Sequence, residues 1–209
     1  MLTLVIETAT AACSVALVEG GRVVARAHEI VGRGHAERLV PMIAELPSGG
    51  RADRILVDCG PGSFTGIRVG IAAARGLALG WGVPVAGYSS LALVAAAAFA
   101  ARPELHRVAA VIEGGHGEVF MQAFEAPFQP LGDLASLTPQ AVLARLDGLP
   151  AIGSGVARLL AVEPGLDATD ALPDAGEAWR VPPELAGLPP RPLYGRAPDA
   201  KVVPGSVGG

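Results

Sequence analysis

Lysine is nearly missing from this chain. Lys201 is the only one, and the other 15 of its 16 Lys and Arg residues are arginines. Acidic residues outnumber them at 20, for a net charge of −4. A protein that neutralises many phosphates by itself carries a basic excess, so the composition argues against independent RNA or DNA binding. Aromatic residues make up 4% of the chain, so its core has to be packed by Ala, Val, Leu and Ile. The two cysteines, Cys13 and Cys59, lie in apolar strand-like runs and read as buried free thiols, with no spacing for zinc or a redox pair. His28, His35, His106 and His116 are never four residues apart, which excludes a helical two-histidine metal site. Neither a Gly-x-Ser-x-Gly elbow nor a Gly-Lys-Ser/Thr phosphate loop occurs. The longest uncharged apolar run, 91–101, is too short to span a bilayer. The first residues read as a strand and not as a basic leader, so a soluble, cytoplasmic protein is expected.

What the chain does have is a 51% hydrophobic content and 28 glycines in 209 residues. Strands are expected at 2–7, 13–19, 22–29, 55–59 and 83–87, with a hairpin around Gly20-Gly21. Helices are expected at 35–46, where Leu39, Met42, Ile43 and Leu46 share a face, from about 64 to 80, and at 90–101, with Ser89 as a cap. Pro41 should loosen or kink the first of these. The order βββαβαβα predicts a layered α/β domain. Val5-Ile6-Glu7 recurs as Val111-Ile112-Glu113, each copy followed by a turn and a second strand, which implies two halves built on one plan. The second half is expected to be abbreviated: strands at 106–113, 118–125, 129–134 and 151–153, helices at 139–146 and 156–162, then a Pro- and Gly-punctuated stretch. The reading divides the chain into 1–102, a smaller 103–200, and a disordered tail at 201–209.

The most informative stretch is 60–70, Gly-Pro-Gly-Ser-Phe-Thr-Gly-Ile-Arg-Val-Gly. It joins a strand to a helix through a tight turn, and either Ser63 or Thr65 can cap that helix. Such a junction can seat an anion or can be purely structural. Along the helix, Gly66, Gly70 and Ala74 form one small-residue stripe, and Ala72, Gly76 and Gly80 form another. Glycine within a helix costs roughly 1 kcal/mol relative to alanine, so these positions need a compensating close contact. The contact is either the sheet beneath or a helix of another subunit. Glu7-Thr8 at one strand end, Glu113 at the corresponding end, and the Gly153-Ser154-Gly155 turn form a candidate nucleotide site, with the two carboxylates facing each other across a cleft between the halves. The residues point to no metal site and to no Ser or Cys triad.

With these residues in view, the chain resembles the TsaB family, the bacterial non-catalytic subunit of the complex that makes threonylcarbamoyladenosine in tRNA. The resemblance rests on 60–70, on Ile6-Glu7-Thr8-Ala9-Thr10 through Cys13-Ser14-Val15-Ala16-Leu17, and on His35-Ala36-Glu37-Arg38-Leu39-Val40-Pro41-Met42-Ile43. Gly117-Glu118-Val119-Phe120, Pro192-Leu193-Tyr194 and Pro198-Asp199-Ala200-Lys201 add to it. It implies an actin-like ATPase fold (ASKHA, ribonuclease-H-like) of two related subdomains, the second abbreviated, and no catalytic residues in this subunit. It further implies pairing with the paralogue TsaD, an ATPase partner TsaE, homodimerisation in isolation, and tRNA contacts made mainly by the partners. No tightly bound cofactor is expected, with Mg-ATP or ADP placed at the complex interface. Family members often carry Asp where Glu7 and Glu113 stand. The implied partner interface is formed by His35, Leu39, Met42, Ile43, Leu46, Phe64, Gly66, Ile67, Gly70 and Ala74. On that reading Gly70→Leu abolishes pairing and spares the fold. The rival reading is an autonomous ATPase or small-molecule kinase of the same fold; a peptidase lacks a visible catalytic set.

Overall fold

The computed structural model describes residues 1–193. The Pro198–Lys201 part of the resemblance, Tyr194 and the expected tail lie outside the described residues.

Strand β1 (Leu2–Glu7) pairs antiparallel with β2 (Ala12–Glu19), which turns back into β3 (Arg22–Ile30). Gly20 and Gly21 form that turn at φ 56° and 77°, left-handed values that glycine adopts at little cost. Helix α1 (His35–Glu45) crosses to β4 (Arg54–Asp58), and α2 (Phe64–Trp81) crosses to β5 (Val85–Tyr88). The resulting sheet runs β3-β2-β1-β4-β5, with β4 and β5 parallel to β1. After α3 (Ser90–Ala101) the plan repeats: β6 (Arg107–Glu113), β7 (Val119–Glu125), β8 (Gln129–Leu137), α4 (Pro139–Leu146), β9 (Ala151–Ile152), α5 (Val156–Leu160) and β10 (Ala168–Thr169). The second sheet runs β10-β9-β6-β7-β8, which is the first order read from the other edge. Two halves on one plan make this the actin-like α/β fold. The second copy is shortened where α5 has 5 residues against 18 in α2.

Five layers result. The outer helices α1 and α2 pack Leu39, Met42, Ile67 and Ala74 onto Leu4, Ile6, Val15 and Ile55 of the first sheet. The outer helices α4 and α5 pack Val142, Val156 and Leu159 onto Ala109 and Val111 of the second. Between the sheets lies α3, buried with Val5, Leu56, Tyr88, Val108, Ala110 and Ile112. A helix apolar on every side has to be enclosed, and the run Leu91-Ala92-Leu93-Val94-Ala95-Ala96 meets that condition. Helix α1 runs through Pro41 as one element. The chain beyond β10 returns to the first half: the Asp174 carboxylate accepts from Arg26, and Gly87 and Leu188 form an antiparallel bridge. Among the described residues no helix is long and apolar enough to cross a membrane.

Candidate functional site

The 60–70 junction forms one wall of a cleft of about 610 Å³ between the two halves. Gly62 lies so close to the β1–β2 turn that a Cβ there would run into the Ala9 carbonyl, and the next amide, Ser63, donates to that same oxygen at 2.6 Å. Of the two candidate caps the structure selects Ser63, whose Oγ accepts from the Gly66 amide at 3.2 Å. The start of α2 therefore presents Gly62, Ser63 and Phe64 to the cleft, beside Thr10 and Arg33. The opposite wall is Glu113, His116, Glu118, Phe120, Ser136 and Ser154 of the second half. The lining mixes both charge signs with hydroxyls and apolar side chains, a surface suited to a polar ligand or a partner's side chains. Among the described residues no group of three or more His, Cys, Asp and Glu could hold a metal.

The candidate nucleotide residues do not assemble as a set, and that expectation is corrected. Glu7 is fully buried beneath the cleft: its carboxylate accepts from the Ala9 amide at 2.9 Å, the Tyr88 hydroxyl at 2.9 Å and the Ser90 hydroxyl at 3.1 Å. Thr8 is buried too, its amide and hydroxyl both reaching Asp58 Oδ1, at 2.8 and 3.0 Å. Gly153 and Gly155 are close-packing glycines, where side chains would collide with the Val111 carbonyl and with Val119. Of the candidate nucleotide residues, only Glu113 and Ser154 line the cleft, and there Glu113 pairs with Arg158.

The reason lies in strand phase. In β1, Val5 faces the inter-sheet layer and Ile6 faces outward; in β6, Ile112 faces the inter-sheet layer and Val111 faces outward. The tripeptide echo is thus one residue out of phase, and a one-residue slip reverses every side chain. Glu7 points in beneath α3, and Glu113 points the other way, toward α5. Ser89, the expected cap of α3, makes no side-chain capping bond, and the Ser90 hydroxyl goes to Glu7 instead.

The interface residues are corrected in the same way. His35 is buried with Nε2 3.1 Å from the Ala12 carbonyl oxygen. Leu39, Met42, Ile43, Leu46, Ile67 and Ala74 belong to the chain's own core. At Gly66 and Gly70 a Cβ would strike Thr8, so this stripe lets α2 approach its own sheet, and Gly70→Leu would break the fold itself. Phe64 alone of the ten is exposed, at 67%. The surface left free is different: Val40 on α1 is 57% exposed and Leu79 on α2 is 87% exposed. Gly76 and Gly80 have open space where a Cβ would stand. Phe64, Arg68, Ala72, Arg75 and Leu79 follow one another at helical spacing on this outer face. Sequence reasoning missed Val40 and Leu79, although Leu79 shares a face with the second small-residue stripe.

Burial dominates the site's titration. It pushes Asp58 up to about 7 and raises Glu7 well above the usual carboxylate range, with the Asp58 charge adding to the latter. Burial likewise pushes the Cys13 and Cys59 thiols up to about 11, which keeps them inert. At the surface, Arg38 of α1 donates to Glu29 of β3 at 2.6 Å and to Glu45 at 2.8 Å, and these hydrogen bonds hold both carboxyls below their ordinary value.

Residues 25–158 match the family model described as TsaD, tRNA N6-adenosine threonylcarbamoyltransferase. The protein TsaB of Escherichia coli, named for tRNA threonylcarbamoyladenosine biosynthesis, is 40% identical over 131 residues, 60% of this chain and 55% of its own length. The chain thus spans about half the length of the named TsaB relatives it matches. An uncharacterized protein of Mycobacterium tuberculosis is 31% identical over 95% of this chain and 93% of its own. Among solved structures, YeaZ from Pseudomonas aeruginosa superposes with a TM-score of 0.77 at 31% identity, covering 92% of this chain and 99% of that one.

Proposed function

This chain belongs to the TsaB group of the TsaD family, and from that membership we propose that it serves threonylcarbamoyladenosine synthesis in tRNA as a non-catalytic subunit. It pairs with the catalytic paralogue TsaD through the outer face of α1 and α2 and holds it in a competent state, with the ATPase TsaE joining the pair. Without the paralogue, the same face takes a second copy of this chain. The observation that carries the pairing is the outer face of α2, where exposed Leu79 lies between Gly76 and Gly80, which have open space above them, and exposed Phe64 stands at the helix start. A large exposed apolar side chain beside a glycine-flattened helix surface is what close helix–helix contact between subunits needs. The net negative charge agrees with tRNA contacts made by the partners.

Reconstitution tests this. The chain is mixed with its cognate TsaD, TsaE, tRNA, ATP and the threonylcarbamoyl donor, and modified tRNA is measured. Formation should depend on this chain; full-rate modification without it would refute the assignment. A second reading, an autonomous ATPase or kinase, is favoured by one observation only: the cleft lined by the start of an 18-residue helix, whose unpaired amides attract anions. Calorimetric titration of the isolated chain with Mg-ATP separates the two. Turnover by this chain alone would favour the second reading, whereas nucleotide binding that needs the partner places Mg-ATP or ADP at the complex interface.

A further inference from the structure

Beneath the cleft wall lie two carboxylates, Glu7 and Asp58, both fully buried, and the described residues bring no buried Lys or Arg to meet them. The groups around them come from several segments. Strand β2 brings the Cys13 thiol, the turn after β4 brings Cys59, β5 brings the Tyr88 hydroxyl, and α3 brings the Ser90 hydroxyl. Helix α1 brings His35, whose ring is engaged with the Ala12 carbonyl. Helix α2 brings only Gly66 and Gly70.

The hydrogen bonds do not treat the two acids alike. Glu7 has an amide and two hydroxyls in reach, although Tyr88 also reaches the Ile6 carbonyl at 3.1 Å, and it sits at the first turn of the 12-residue helix α3, where the helix dipole favours negative charge. Asp58 is served less fully: Oδ1 takes the Thr8 amide, the Gly60 amide bears on the carboxylate, and among the described residues no donor lies within hydrogen-bond geometry of Oδ2. The Thr8 hydroxyl has a single hydrogen but two acceptors in reach, Asp58 Oδ1 at 3.0 Å and the Gly66 carbonyl at 2.9 Å. A neutral Asp58 resolves this shortage. Its own hydrogen goes to Thr8 Oγ1, and the Thr8 hydrogen goes to Gly66 of α2.

We propose that Asp58 holds a proton near neutral pH and that this proton fastens the start of α2 to the ends of β1 and β4. When it passes to solvent, a carboxylate is left in a dry cluster beside Glu7, the Thr8 hydrogen turns to Asp58, and Gly66 loses its side-chain donor. The first turns of α2, which form the cleft wall, loosen as a result. This is a proton-dependent latch under the cleft, and it acts in the isolated chain with or without a partner.

The direction of the effect follows from linkage. An acid whose folded value lies above its unfolded one leaves stability complete below the unfolded value, 3.8 for Asp58, and erodes it as pH rises toward the folded value of about 7. One retained proton changes the folding equilibrium constant by up to about tenfold per pH unit across that window. Asp58→Asn keeps the shape and removes the Asp58 titration, leaving that of Glu7 in both chains. Denaturant melts of both chains from pH 4 to 9 should show the wild-type constant falling relative to the variant across pH 4–7. Amide exchange at residues 66–70, corrected for base catalysis, should quicken above pH 7 in the wild type only. Parallel profiles for the two chains would overturn the latch. If the variant does not fold, carbon-13 carboxyl shifts of aspartate-labelled wild type decide the question. An Asp58 carboxyl still protonated at pH 6 supports the proposal, and one already ionised there overturns it.

Discussion

Gly70 and Gly76 sit six residues apart in α2 and do opposite things. At Gly70 the space a side chain would fill is taken by the Thr8 hydroxyl, with Asp58 Oδ1 behind it at 3.4 Å. At Gly76 there is nothing within 4 Å. A methyl group at the first position has to push apart a buried hydrogen-bonded pair, and overpacking of that kind costs about 1–3 kcal/mol. A methyl at the second only restores helix propensity, worth roughly 0.8–1 kcal/mol. Urea melts should therefore show Gly70→Ala destabilised and Gly76→Ala stabilised; equal effects would mean that the two stripes do not face opposite ways. The stripes themselves were legible in the sequence, because spacing of four defines a helical row. Their phase was not, because both rows hold small residues and only packing on the sheet tells inside from outside. Asp58 escaped notice for a related reason. It ends an apolar strand as any solvent-facing residue would, and its burial depends on Thr8 arriving from a strand 50 residues earlier in the chain.

At the level of the element, the first half reads well from sequence because its segments are long and strongly patterned. The expected 90–101 helix matches α3 at both ends, and α1, α2 and β1 differ by at most a residue or so. The second half is harder. Strands β9 and β10 have two residues each, and such pieces are defined by the neighbours they pair with, not by any local period. Periodicity found the apolar row of α1 and the small-residue stripes of α2, and the family resemblance assigned them to a partner, yet a helix lying on a sheet turns its apolar row inward first. The outer face is what remains for a partner, and it yields a specific expectation. Leu79→Glu places a charge on a fully solvated position, so the melting temperature should hold within the usual small surface effect of about ±0.5 kcal/mol. A carboxylate buried without a counter-charge at a subunit contact costs several kcal/mol, so association with TsaD, or self-association without it, should weaken at least tenfold in sedimentation. Unchanged association would move the interface off α2. The Arg38 bridge to Glu29 and Glu45 fixes how α1 lies against β3 and serves as an internal control on pH. Those carboxyls lie below their ordinary 4.5, so their contribution is present above that value and fades as pH falls beneath it, opposite in direction to Asp58.

For the molecule as a whole, the repeat in the sequence and the repeat in the structure are not the same object. The sequence shows Val-Ile-Glu twice; the structure shows two sheets of one strand order, with those tripeptides a residue out of phase. Recognising two halves needed only the echo, whereas placing the carboxylates needed the phase, which three residues cannot carry. The halves are also less separable than a boundary near 102 implies. Helix α3 belongs to the first half by sequence, yet it leans on β6, β7, β9 and the turn Ala175–Arg180. The last described residues tie back in turn: the Gly87 amide donates to Leu188 at 2.6 Å and the Leu193 amide donates to the Cys59 carbonyl at 2.7 Å. A fragment of residues 1–102 would expose much of α3, including some of Leu91, Leu93 and Val94, each buried in the whole chain. At about 1.5–3 kcal/mol for each such side chain, losing two or three approaches the 5–15 kcal/mol that holds a domain folded. The fragment should therefore give no cooperative melt and poorly dispersed amide resonances, while residues 1–193 melt in one transition. A sharp, independent transition in the fragment would show that the first sheet with α1 and α2 suffices, and that the cleft lies between two bodies free to move.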